Sequence, residues 1–189
     1  MTLFAQYVAY GEHQAQKHPL INHRPSVVGG MAFDCISQSD VEAERREGVF
    51  RTAFAGKGFY VRWIVFNGDT EATQVHNAMI DLRGGFYILK KVAVRTDKAN
   101  DITSPLGETF EIGSQILHKM VADSMNGHPL FMRSVDRLDA LNAAWQARVN
   151  IGQSSDLTGW LFTFSFRRPV STCLINSQTA WIDGGKTPY

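Results

Sequence analysis

Trp160, Phe162, Phe164 and Phe166 alternate with Leu161, Thr163, Ser165 and Arg167, and no feature of this 189-residue chain constrains its fold more. A period of two is the signature of a strand, and it sends the large rings to one side. Upstream, Leu141, Ala143, Trp145, Ala147, Val149 and Ile151 alternate with Asn142, Ala144, Gln146, Arg148 and Asn150. Gly152-Gln153-Ser154-Ser155-Asp156 joins the two segments, so they read as an antiparallel hairpin with one buried face. Rings of this size hide roughly several hundred Å² of apolar surface, at about 25 cal/mol per Å². Such a face needs a partner.

The natural partner is a helix over residues 104–125. Ser104 suits the N-cap and Pro105 the first helical position, where its missing N–H is harmless. Ile112, Ile116, Leu117, Met120 and Val121 make a stripe of period 3.6. Glu108 and Glu111 come early and Lys119 late, which matches the helix dipole, and Asn126-Gly127 marks the end. The expected fold class is α+β: an antiparallel or mixed sheet of four or more strands, with helices packed on one face.

The remaining elements fit around that pair. Leu3, Tyr7 and Tyr10 fall on one helical face, with Gly11 weakening the centre and Pro19 setting the stop. Asn22 to Gly30 reads as a connector. Ser39-Asp40-Val41-Glu42 has capping-box spacing and predicts a short helix near 40–47. Phe59 to Phe66 predicts a strand that is apolar on both faces and ends at Asn67-Gly68-Asp69. Gly84-Gly85 launches another, Phe86-Tyr87-Ile88-Leu89, continuing through Val92 and Val94. From Asn67 to Leu82 the periodicity does not choose between a third strand, a helical turn and a projecting loop. Residues 1–168 read as a single domain, and Pro169 to Tyr189 as an extended C-terminal arm.

Composition narrows the function classes. Nineteen Lys and Arg against eighteen Asp and Glu leave a formal charge of +1, without the basic excess that non-specific nucleic-acid binding or an anionic membrane calls for, and no specific nucleic-acid binding is expected. With 44% hydrophobic and 20% charged residues the chain is not generally disordered. No apolar run approaches the ~20 residues of a membrane span, and the N-terminus lacks a signal-peptide pattern, so the reading is a soluble protein with no membrane partner. Cys35 and Cys173 read as free thiols, although one long-loop disulfide stays open.

Catalytic and cofactor patterns are missing. His13, His18 and His23 are spaced by five and read as exposed residues, not ligands. Gly185-Lys186-Thr187 lacks the earlier glycine and the following helix of a phosphate loop. Asp136 and Asp139 read as solvated turn residues. Lys57-Gly58-Phe59 and Arg83-Gly84-Gly85-Phe86-Tyr87 echo the start of an RNA-binding strand without its aromatic spacing. The expectation is a non-enzyme with no cofactor and no metal.

The order of elements is similar to something known. A short N-terminal helix leads to an aromatic strand, then Gly85-Phe86-Tyr87-Ile88-Leu89. A long amphipathic helix follows, and a closing hairpin ends Gly159-Trp160-Leu161-Phe162-Thr163-Phe164-Ser165-Phe166. Over residues 58–168 this layout resembles the small tail-completion or tail-terminator proteins of tailed phages and phage-like contractile particles. The resemblance implies a virion structural protein, assembled in the host cytoplasm. Its copies form a ring, typically six-fold, that caps the tail tube and meets the neck or head connector. Tail tube and neck or head-connector proteins are then its partners. The implied contact elements are the 67–82 loop (Asp69, Thr70, Glu71, Gln74, His76), the hairpin tip (Gln153, Ser154, Ser155, Asp156) and the arm (Trp181, Tyr189). The long arm and the Cys35 region leave another neck or baseplate role open. A small ligand- or nucleic-acid-binding α+β module is the other alternative, and exposed Tyr60 and Tyr87 on an open sheet face would favour it.

Overall fold

Cross-strand pairing of large rings decides the architecture. The structure, a computed structural model, describes residues 3–27, 30–36, 58–71, 79–91, 99–131, 142–150 and 157–169. In chain order these form helix α1 (Leu3–Lys17) and strands β1 (Phe33–Ile36), β2 (Phe59–Glu71) and β3 (Met79–Lys91). Helix α2 (Ala99–Met125), a 3-10 turn (Pro129–Phe131) and strands β4 (Asn142–Asn150) and β5 (Leu157–Pro169) follow. The strands make a five-stranded sheet in the order β1-β2-β3-β5-β4. β1 runs parallel to β2, and the other pairs are antiparallel. The fold is therefore α+β with a mixed sheet, as the sequence pattern predicts.

Register lines up the rings. Trp63 on β2 stands opposite Phe86 on β3, and Phe86 opposite Phe162 on β5. They stack in a row: Trp63 and Phe86 have ring centroids 5.2 Å apart at 7°, Phe86 and Phe162 5.3 Å apart at 14°. The pairs Gly84–Phe164 and Leu82–Phe166 continue the same side, and Phe162, Phe164 and Phe166 are all buried.

Three elements cover this face, the 104–125 stripe among them. α1 lies over Trp63 and Phe164, its Tyr7 ring 5.4 Å and 6.2 Å from theirs. α2 lies over Trp160 and Phe162 through Phe110, at 5.3 Å and 6.1 Å. The Trp160 indole N–H donates to the Leu106 carbonyl at 2.8 Å, tying α2 to β5. Phe131 in the 3-10 turn meets Phe166 edge-on at 5.5 Å.

Two helical glycines set how closely helices and sheet approach. A Cβ on Gly113 would lie 1.9 Å from the Phe162 ring, and one on Gly11 would lie 2.6 Å from the Trp63 indole. Gly11, which on propensity weakens α1, is a contact surface. Gly107, in the same helix as Gly113, faces open space. Gly107→Ala is expected to stabilise by about 0.5–1 kcal/mol through helix propensity. Gly113→Ala is expected to destabilise by about 1–3 kcal/mol, because overpacking a stacked ring outweighs the same propensity gain. Urea denaturation of both variants checks the pair; a gain at both positions would refute the close approach.

Several boundaries differ from the sequence reading. α2 begins at Ala99, with Pro105 inside it. In the second turn proline forfeits one backbone bond, to the Asp101 carbonyl, and the preceding turn still forms. Ser104 donates its hydroxyl to Glu108 at 3.0 Å. The C-terminus closes where expected: Gly127 has φ 75°. Its N–H donates to the Ser124 carbonyl at 3.3 Å, and that of His128 to the Asp123 carbonyl at 2.9 Å. This is the glycine-centred closure that satisfies terminal carbonyls.

β2 does not end at Asn67, nor does β3 begin at the glycines. Asn67–Glu71 pair with Met79–Arg83, so Gly84-Gly85 lie inside β3. The register shifts between Ile64 and Asn67, one extra residue on β2 forming a bulge. A second shift lies between Gln146 and Val149. Trp145 pairs with Phe162, but Val149 pairs with Gly159, so the alternation of residues 141–151 does not map to one face throughout. The helix expected at 40–47, Val92, Val94, the 152–156 tip and residues 170–189 lie outside the described residues.

Candidate functional site

Of the expected assembly residues, the structure describes the backbone of three. Asp69, Thr70 and Glu71 lie within β2, opposite Asp81, Ile80 and Met79, so of the strand, helical turn and loop open for this stretch they take the strand, not the loop that the resemblance implies. The reason is backbone economy: two strands that continue past a bulge keep their N–H and C=O groups paired. Gln74, His76, Gln153, Ser154, Ser155, Asp156, Trp181 and Tyr189 lie outside the described residues, as do Cys173, Asp136, Asp139 and the Gly185-Lys186-Thr187 run. The candidates are therefore not brought together at one described place. Among the described residues, β1 and β4 are the outer strands of the sheet, β4 hydrogen-bonded to β5 and β1 to β2.

The face opposite the helices carries Tyr60, Arg62, Tyr87 and Leu89, and all are buried. Tyr60 is 2% and Tyr87 5% exposed. A base-stacking platform needs open rings, so the feature that would favour a nucleic-acid module is missing at these two positions. Arg62 reaches Asp34 of β1, its Nε 2.8 Å and its Nη2 2.5 Å from Oδ2. The guanidinium is buried while Asp34 is partly open, so the carboxylate offsets the cost of taking the cation out of water. A signal existed: a charge inside the run Phe59-Tyr60-Val61-Arg62-Trp63 needs a partner.

Tyr7 makes a polar link between α1 and the sheet. Its hydroxyl donates to the Ile64 carbonyl at 2.7 Å and takes a hydrogen bond from the Gly85 backbone N–H. Ile64 and Gly85 are paired residues at the edge of the β2 bulge. A Cβ on Gly84 would come within 2.4 Å of that hydroxyl, so the glycine makes room for it. Burial pushes the hydroxyl far above the ordinary phenol range, nearby Cys35 adds to this, and the Gly85 N–H works against it.

A second link joins α1 to the end of α2. Tyr10 donates to Asp123 Oδ2 at 2.9 Å, Lys119 pairs with the same carboxylate, and the Tyr10 ring meets His128 edge-on at 5.0 Å. Burial works to raise the Asp123 pKa. The hydrogen bonds from Lys119 and Tyr10, with the charges of Lys119 and His128, outweigh it and hold the carboxyl below its usual range. Glu108 is lowered too, first by its hydrogen bond from Lys90, which ties β3 to α2.

Both carboxylates bind their proton more weakly in the fold than in the unfolded chain. Their contribution is present above the unfolded value of about 4 and is lost as pH falls through the lower folded value. Asp123→Asn is therefore expected to flatten the acid limb of stability between about pH 5 and 2. Urea midpoints across that range check it; an unchanged slope contradicts the linkage.

Other candidate ligands are accounted for by packing. His13 is exposed, as expected, and His18 bonds Gln115 at 3.0 Å. His23 is buried, against expectation. The chain turns at Asn22, with φ 48°, and the His23 N–H returns to the Ala15 carbonyl at 3.1 Å. Its Nδ1 accepts from the Ala32 N–H at 2.9 Å. Cys35 is a free thiol; burial first, then the charge of Asp34, pushes it up to about 11, away from the reactive thiolate. Among the described residues no three His, Cys, Asp or Glu side chains gather as a metal site, and no helix is long and apolar enough to cross a membrane.

Comparison with protein-family models, curated proteins and solved structures finds no match to this chain.

Proposed function

We propose that the chain is a non-enzymatic structural subunit of a phage-type tail, a terminator or completion protein. Its copies close into a ring that caps the tail tube and joins it to the neck or head connector. The observation that supports this reading is the form of the sheet. Its aromatic face is filled by α1, α2 and Phe131, and among the described residues its outer strands are β1 and the nine-residue β4. β4 contains neither proline nor lysine, and its bulge between Gln146 and Val149 and its Arg148 blunt only its later part against pairing. A ring requires heterologous contact between two different surfaces of one subunit, and two unlike edges meet that requirement.

The test is co-assembly of the full chain with the tube protein of its own particle. Light scattering of the complex is expected to reveal a closed species, about six copies for a six-fold ring, and electron microscopy to find it at one end of each tube. Tubes that lengthen unchecked, with the chain remaining monomeric beside them, would overturn the proposal. Binding elsewhere on the tail would move it to another neck or baseplate role.

A further inference from the structure

We draw no further inference here: the strongest candidate, the exposed apolar side chains of Leu20, Val27 and Met31 on the connection between α1 and β1, carries nothing because nothing in the structure shows what covers them.

Discussion

Phe86→Ala is expected to cost about 3–5 kcal/mol, the range for emptying a fully buried aromatic site. Phe86 has no exposed surface and is stacked on both sides, by Trp63 and by Phe162. Alanine removes the ring and the two stacked pairs together. Phe164, tilted 45° with its centroid 6.3 Å away, is a third ring beside it, and it is held in turn by Tyr7 and Trp63. Little collapse is available, so the loss falls toward the upper end. For a chain of this length it lowers the thermal midpoint by roughly 6–20 °C. Met125→Ala is the comparison, since that side chain is 67% exposed, and it is expected to change stability by no more than about 0.5 kcal/mol. Parallel thermal scans of the two variants read the contrast; equal shifts would mean that the stacked row is not the centre of the core.

Tyr7→Phe has the next largest expected effect, about 2–4 kcal/mol. It keeps the ring against Trp63 and Phe164 and deletes one oxygen. That oxygen serves both the Ile64 carbonyl and the Gly85 N–H at the edge of a bulge. Each backbone group left without a partner costs about 1–3 kcal/mol, the smaller figure applying to the part-buried Ile64 side. The readout specific to this mechanism is amide hydrogen exchange. Protection at Gly85 should fall more than protection at Leu89, which is also on β3. A uniform loss along β3 would assign the cost to ring packing instead of the hydroxyl.

Strong local patterns were readable without coordinates. The rings of β5 all go to one side because each is too large to be left in water, so period two and burial agree. The α2 stripe and its glycine closure follow from equally local rules. What was hidden depends on partners distant in sequence. Nothing around Gly113 in the sequence indicates that Phe162 will lie against it, and a glycine in a helix reads as a defect until its neighbour is known. The extension of β2 and β3 past Asn67 rests on each strand's finding the other, since neither half alone shows clean alternation. The bulges at Ile64–Asn67 and Gln146–Val149 shift the register by one residue, which no pattern count anticipates.

Distant partners also decide the placement of the candidate site residues. Asp69, Thr70 and Glu71 sit in a stretch whose periodicity does not choose between strand, turn and loop. Backbone pairing with Met79–Asp81 decides for the strand. His23 looked like a solvated residue until a turn at Asn22 carried it back beneath α1. Arg62, by contrast, was detectable, because a guanidinium in an aromatic strand demands a carboxylate.

α2 seats its backbone directly against the β5 rings at Gly113, and a double-mutant cycle joining Gly113→Ala with Phe162→Leu tests this most directly. If the added methyl collides with that ring, trimming the ring relieves the collision. The double variant should then be more stable than the sum of the single losses predicts, with a coupling of about 1–3 kcal/mol. Losses that add to within about 0.5 kcal/mol would mean that helix and strand do not touch there.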